Sequence, residues 1–427
     1  MLLRRPKASF AALLSAALPL FSVSQKALIP LLTILGCLAL FNKRTGTDPS
    51  DSKAELVTHW AWLVPGLAYT TLASRNALND INTGLISGEA ELIASLSRSS
   101  LYIIAPLILY LTNRSHLIRL TTLCQSLIAG LQAKILLCLT LTLVMTGVAA
   151  KKSYILQFPT LEPYVTTWVG PYFLISTGIV CLLIHQKEQS QKECAINLLL
   201  ILASVLLAFY CAVALNNLTC TISGFSLVAL LIIQSQKFLV PSLYGAREWI
   251  KISTNKLLFA FFLATFMASI ISLSNLEHIQ SISQSLRINH LWARNDRLEL
   301  FGQGVKRFTT QKLNIEYLTT GPSTFQRPIC FKASEAIFLD TSTCHQYWHS
   351  IPWDSFRNFG YIGFALGLSV TLSLTFFTWR FTRNKAPLPA IATLCCFFII
   401  LTTPTVEVGA GEIIPLMLLI TLLSSAL

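Results

Sequence analysis

The chain has 427 residues, of which 53% are hydrophobic and only 12% are charged, and its mean hydropathy is +0.62. Because a soluble domain carries about 25% charged residues, this composition excludes an ordinary water-soluble protein and indicates helices that face lipid. The net charge of +13 does not indicate a nucleic-acid partner, because the basic residues stand in short clusters between apolar runs, which is typical of membrane proteins.

Twelve apolar runs follow one another along the chain, each long enough to form a helix that crosses or nearly crosses a bilayer. The first two follow a basic stub that resembles a signal peptide, but no small-x-small cleavage site precedes Lys26, so we predict an uncleaved hairpin. The fold prediction is an all-α polytopic membrane protein of about twelve transmembrane helices. The predicted helices cover residues 9–24, 27–41, 57–73, 92–112, 120–148, 164–185, 194–215, 222–234, 257–273, 356–378, 387–402 and 412–426.

The basic residues are distributed unequally between the two sides of this predicted bundle. With the N-terminus inside, the cytoplasmic connections carry seventeen lysines and arginines, whereas the short outer connections carry five. The positive-inside rule therefore predicts that both termini are cytoplasmic. The five outer basic residues are Lys26, Arg75, Arg98, Lys151 and Lys152.

The longest polar segment lies between the ninth and tenth predicted helices. It divides the chain into nine helices (residues 1–273), a large periplasmic loop (274–355) and three helices (356–427). Its eight lysines and arginines do not overturn the orientation, because long loops are translocated regardless of charge. A loop of this length is uncommon unless it is functional. Its two cysteines, Cys330 and Cys344, either form a disulfide or remain free thiols.

The first informative stretch of the loop begins with Arg294 and Arg297, next to Asn295 and Asp296, either of which can cap a helix. The N-terminal end of such a helix favours anions, and two guanidinium groups at that end suit a diphosphate. A solvated basic face of an interfacial helix explains the same pattern. The apolar stripe of the predicted helix consists of Leu298, Phe301, Val305 and Phe308.

The second stretch, residues 345–364, is predicted to lead straight into the tenth helix. Pro352 suits the first turn of a helix, which puts His349 just above the membrane. A histidine there can accept a proton near neutral pH, although a hydrogen-bonded interfacial histidine is the alternative. Trp353 is first an interface aromatic and second a residue on which a sugar can stack.

Together, these two stretches resemble the O-antigen ligase/polymerase family. The usual family motifs are His-Asn-x-x-Leu, then Glu-x-Gly-x-x-Gly, and an arginine-headed loop helix upstream. The corresponding stretches here are His349-Ser350-x-x-Trp353, Asn358-x-Gly360-x-x-Gly363 and Arg297-Leu298-x-x-Phe301-x-x-Gly304-x-x-x-Phe308. The order of twelve helices with a large loop between the ninth and tenth also agrees, so the resemblance in layout covers essentially the whole chain.

The resemblance implies an integral membrane glycosyltransferase with a GT-C-like fold in the bacterial inner membrane. Such enzymes take a glycan from an undecaprenyl-diphosphate carrier at the periplasmic face and join it to a lipid A–core sugar or a growing glycan. By the resemblance, His349 is the base that activates the acceptor hydroxyl, and Arg297 holds the diphosphate of the donor. It implies no metal, nucleotide sugar or other cofactor, since the diphosphate is a good leaving group once arginines neutralise it.

The chain departs from the family pattern at three positions. Ser350 replaces the usual asparagine and Asn358 the usual glutamate, which are tolerable changes. At the predicted tip between helices seven and eight (217–225), Gly224 stands where the family has an arginine that binds phosphate. The replacement cation could be Arg75, Arg98 or Arg294. Otherwise, the donor is bound differently or activity is lost.

Lys134, inside the fifth predicted helix, is a further candidate for binding the donor. A lysine within a membrane helix is costly and functional by default, but it could also snorkel or pair. The leading interpretation is a lipid-carrier-dependent glycan ligase, with the sister polymerase close behind. A non-enzymatic membrane protein, such as a flippase or a degenerate family member, is the alternative of another class; Gly224 favours it, and the pair of His349 and Arg297 opposes it.

Overall fold

A computed structural model describes residues 4–20, 25–42, 51–82, 89–115, 117–146, 169–186, 189–215, 218–239, 316–319, 329–330, 344–345, 351–402 and 413–425. Nearly all of these residues are helical. The helices are α1 (Arg4–Leu20), α2 (Gln25–Leu40), α3 (Asp51–Asn82), α4 (Glu89–Arg114), α5 (Leu120–Thr146), α6 (Val169–His185), α7 (Gln191–Leu215), α8 (Leu218–Leu239), α9 (Glu316–Thr319), α10 (Ile351–Arg383), α11 (Pro387–Thr402) and α12 (Ile413–Ser425). One antiparallel pair joins β1 (Ile329–Cys330) to β2 (Cys344–His345).

Eleven of the twelve predicted helical segments coincide with these helices, and the ninth, 257–273, lies outside the described residues. Within the described part, four helices contain a segment long and apolar enough to cross a membrane. The chain is therefore a helical membrane protein. The count of twelve spans and the periplasmic position of the loop stay predictions. The four segments are Leu120–Leu137, Gln191–Ala212, Thr219–Gln236 and Phe359–Arg383.

Hydrogen bonds between residues near helix ends show which ends of the helices lie together. The amide Nδ2 of Asn42, just after α2, donates to the carbonyl oxygen of Ser115, just after α4, at 2.8 Å. His59 near the start of α3 lies with its Nδ1 3.0 Å from the hydroxyl oxygen of Ser424 near the end of α12. We call this the basal end of the bundle, and the opposite end the distal end.

Glycines allow two pairs of helices to approach closely. A Cβ atom on Gly66 of α3 would lie 2.9 Å from the carbonyl oxygen of Tyr102 on α4. A Cβ atom on Gly130 of α5 would collide with the carbonyl oxygen of Ala16 on α1. Small residues at helix contacts let membrane helices pack backbone to backbone. Gly66 in this way allows α3 to pack closely on α4, beside the site described below.

Helix α10 contains a chain reversal at Gly360. This glycine has φ 61° and ψ −150°, a left-handed backbone conformation that other residues rarely adopt. A Cβ atom on Gly367 would lie 2.5 Å from the Cα of Pro352. In an uninterrupted helix, these two residues would be about 22 Å apart. The short arm of α10 (351–359) therefore folds back along its long arm (361–383).

Side chains of the two arms contact each other as well. The ring centroids of Phe356 and Phe364 are 6.3 Å apart although eight residues separate them. A Cβ atom on Gly363 would meet the carbonyl oxygen of Ser355. The prediction that the motif leads straight into a helix over 356–378 was thus wrong in its path: Pro352 does lie in the first turn, but a reversal separates it from the long arm.

Candidate functional site

The short arm of α10 is docked on α3 by a buried hydrogen bond. The hydroxyl oxygens of Tyr69 and Ser355 are 2.8 Å apart, and the two residues are 2% and 0% exposed. The ring of Phe359 lies 6.2 Å from that of Tyr69, and the ring of Tyr102 on α4 lies 6.0 Å from it. The short arm of α10 is therefore held inside the bundle, beside the close approach of Gly66 on α3 to Tyr102 on α4.

Two predicted phosphate-binding positions lie at the distal end of the same helices. Ring contacts pair Trp62 with Tyr110 and Tyr69 with Tyr102, so α3 and α4 are antiparallel. Arg98 precedes Tyr102 by about one turn, so its position in α4 lies about 6 Å beyond the level of Tyr69, toward the distal end. Its side chain lies outside the described part.

Arg75 is exposed and lies on α3, six residues beyond Tyr69. This spacing corresponds to about 9 Å along the helix. Of the two arginines, Arg98 therefore has its position closer to the level of the short arm, and Arg75 lies farther toward the distal end.

The lysine predicted as a further binding candidate is paired. The ammonium Nζ of Lys134 donates to the hydroxyl oxygen of Tyr172 at 2.6 Å, lies 4.1 Å from the centre of that ring, and is almost fully buried. Helix α5 packs on α1, α6 and α7, whereas α3 packs on α4, α10 and α12. Lys134 and the short arm of α10 thus belong to different groups of helices.

Gly224 occupies a packing position in α8. The helix starts at Leu218, so the predicted tip over 217–225 was wrong, and Gly224 lies nearly two turns inside the helix. It is buried, and a Cβ atom added to it would lie 3.3 Å from the ring of Phe209 on α7. An arginine at this position would therefore require the ring of Phe209 to shift.

The two cysteines of the predicted loop are paired across the β strands. Cys330 is the direct antiparallel partner of Cys344, and Ile329 is the partner of His345. Antiparallel partners have Cα atoms about 4.5–5.5 Å apart, within the range that a disulfide requires. The backbone therefore brings together the two residues that the sequence singled out, and the disulfide itself stays a prediction.

Three predicted site residues, His349, Arg294 and Arg297, lie outside the described residues. Trp353 is a helical position in the short arm, but its side chain also lies outside the described part. Their roles stay predictions. What the structure adds is that Ile351, two residues after His349, is 2% exposed and starts the docked short arm.

Sequence reasoning missed Tyr69 and Ser355, which are 286 residues apart. It also missed a buried histidine at the basal end. The indole Nε1 of Trp62 donates to Nδ1 of His59 at 3.0 Å, and the ring of Tyr110 lies 4.3 Å from the imidazole. These contacts join α3, α4 and α12 and give His59 a structural role.

No protein-family model matches the chain, and no curated protein is significantly similar to it. Function is therefore inferred from residues and their geometry.

Proposed function

We propose that the chain is a metal-independent membrane glycosyltransferase of the O-antigen ligase type. It moves a glycan from an undecaprenyl-diphosphate carrier to a lipid A–core sugar or another glycan acceptor at the periplasmic face of the bacterial inner membrane. One observation carries the proposal: Ile351, two residues after His349, is buried in a docked helical arm. Because a base must be held in one geometry to act, a histidine tied to such an arm is better placed than one in a surface loop.

In the proposed reaction, His349 takes the proton of the acceptor hydroxyl. The hydroxyl oxygen then attacks the anomeric carbon of the donor glycan, and the bond from that carbon to the diphosphate oxygen breaks. Undecaprenyl diphosphate leaves with the electron pair. Arg297 neutralises the charge that develops on it, which is the electrostatic role that arginines serve in phosphate transfer.

Arg98 is the best candidate for the second cation that binds the diphosphate. In the family, that cation is an arginine at the position of Gly224. Its place in α4 lies about 6 Å beyond the level of the contact between Tyr69 and Ser355, toward the distal end. Arg75 is farther along α3, and Lys134 is already bonded to Tyr172 in another group of helices.

The test is transfer by the purified chain in lipid nanodiscs with an undecaprenyl-diphosphate-linked oligosaccharide as donor and lipid A–core as acceptor. A ligase gives lipid A–core that carries the glycan, seen as a shift on a gel. A polymerase leaves the acceptor unchanged and lengthens the lipid-linked glycan. Neither product, with protein that is folded and donor that is intact, would contradict the proposal.

The packing of Gly224 against Phe209 favours a second function, a non-enzymatic carrier of lipid-linked glycans. A chain without the family arginine could move such a lipid between leaflets without breaking its diphosphate bond. Vesicles that contain the chain would then make an inner-leaflet lipid-linked glycan accessible to an outside glycosidase, and no transfer product would form.

A further inference from the structure

The path of the short arm of α10 depends on contacts that lie far from the predicted motifs. Within α10, the left-handed Gly360 and the close packing of Gly367 on Pro352 set the reversal. Between helices, the hydroxyl of Tyr69 meets that of Ser355 at 2.8 Å in a buried place. The reversal alone fixes the short arm to the long arm, whereas the bond between Tyr69 and Ser355 fixes it to α3.

A buried hydroxyl pair is directional, unlike the apolar contact around it. Ring packing of Phe359 on Tyr69 tolerates a shift along the helix, but a hydrogen bond weakens steeply when its distance or angle changes. If one partner is removed, the other is left buried with a lost bond, which favours undocked positions. The bond therefore selects one position of the short arm on α3.

We propose that Tyr69 is a positioning residue that, through Ser355, holds the start of the short arm and with it the segment of His349. This inference rests on the proposed function for its catalytic consequence, but the docking itself is measurable without any reaction. Tyr69 touches neither substrate nor reacting atoms in this scheme and acts only through the short arm.

The docking test measures how fast a maleimide labels a cysteine at the buried start of the short arm. Ile351→Cys is combined with Tyr69→Phe, which removes only the hydroxyl, or with Ser355→Ala, and mass spectrometry follows the peptide that contains position 351. Loss of one buried hydrogen bond should raise the labelling rate about five- to tenfold in both backgrounds. Equal rates with and without the hydroxyl would overturn the proposal.

Tyr172→Phe is the matched control, because it removes a buried tyrosine hydroxyl bond at 2.6 Å in another group of helices. Labelling at position 351 should not change in this background. If Tyr172→Phe accelerates labelling as much as Tyr69→Phe does, the effect is general loosening of the bundle, and the proposal is wrong.

The catalytic consequence is tested by comparing glycan transfer by the Tyr69→Phe variant with transfer by the wild-type protein. Tyr69→Phe should lower kcat about tenfold and leave the KM for the donor unchanged, since it displaces a base without touching the donor. A raised KM at constant kcat would overturn the positioning role. If no transfer occurs in wild-type protein, the proposed function fails, and the labelling result still decides whether Tyr69 docks the short arm.

Discussion

At the scale of single residues, His349 carries the proposed chemistry. His349→Ala should lower the rate of glycan transfer by about 10²–10⁴-fold, the usual effect of removing a positioned base. His345→Ala should cost much less, because this residue lies in β2 opposite Ile329, outside the matched motif. Initial rates of transfer at equal protein abundance measure both. Equal losses would point to folding of the loop or to a two-histidine site.

His59 gives the opposite control, a buried histidine with a structural role. His59→Ala leaves the indole N–H of Trp62 and the hydroxyl of Ser424 without a bond that they make now. The free energy of unfolding should fall by about 1–3 kcal/mol, seen as a lower thermal midpoint, while the rate per folded molecule stays unchanged. His349→Ala should show the reverse: normal stability and lost transfer.

Arg98 is the residue that we propose as the second phosphate ligand, a choice that the sequence left open. Arg98→Gln should raise the KM for the lipid-linked donor about tenfold or more, because a charged hydrogen bond to phosphate is worth about 1.5–3 kcal/mol. Arg75→Gln, at an exposed position about 3 Å farther toward the distal end, should change it less than about threefold. The order would be reversed if Arg75 were the phosphate ligand.

Residue types at short spacing were readable from the sequence, but contacts over long separations were not. Ser350 to Gly363 could be matched to a motif because those residues are neighbours in the chain. The partner of Ser355 is 286 residues away, and a tyrosine in an apolar helix gives no sign that its hydroxyl is used. The sequence presented Gly224 as a missing ligand, and only the structure shows that it packs against Phe209 inside a helix.

At the scale of elements, the reversal within α10 makes a prediction that a straight helix cannot satisfy. A Cβ atom at position 367 would lie 3.1 Å from the Cβ of Pro352, near the 3.5–4.5 Å of a disulfide. The pair Pro352→Cys and Gly367→Cys should therefore crosslink on oxidation. The pair Pro352→Cys and Thr378→Cys, with its second cysteine about 16 Å farther along the long arm, should not.

Since a side chain at position 367 is tightly packed, the same pair is also treated with a short bifunctional maleimide. This reagent bridges neighbouring arms but not residues about 22 Å apart in an unbroken helix. Peptides joined through positions 352 and 367 are identified by mass spectrometry. Absence of the link with both reagents would mean that α10 is straight.

The β strands predict a disulfide between Cys330 and Cys344, which are direct cross-strand partners. Such a bond closes a loop of about fifteen residues and should stabilise it by about 3 kcal/mol. Mass spectrometry of non-reduced protein should find the two cysteines linked. Two thiols that are both freely alkylated would exclude the bond, and they would leave the role of His349 untouched.

Apolar runs allowed most helices to be predicted, because burial in lipid demands long apolar segments in any fold. They could not show the reversal, because the polar residues of the short arm (Asp354, Ser355, Arg357 and Asn358) also suit the end of a straight membrane helix. Gly360 gives no clear sign either, because glycine is common inside membrane helices. The side of the helix on which the chain returns is set by Gly363 and Gly367, which accept close contact.

At the scale of the whole molecule, the orientation of the helices in the membrane is testable. Arg380 and Arg383 lie in the last turn of α10, and the positive-inside rule assigns that end to the cytoplasm. A reporter that is active only in the periplasm should be active when inserted within residues 309–336. The same reporter placed after Arg383 should be inactive. The opposite pattern would reverse the orientation and remove the proposed periplasmic reaction.

If the chain transfers glycan as proposed, the reversal at Gly360 also affects the competition between an acceptor sugar and water. Because Pro352 packs beside Gly367, the start of the short arm lies against the side of the long arm, about 10 Å from the reversal. A glycosyl group there meets less bulk water than one at an open surface, and exclusion of water suppresses hydrolysis. Straightening α10 would then divert the glycan to water, so that free sugar, rather than unused donor, would accumulate.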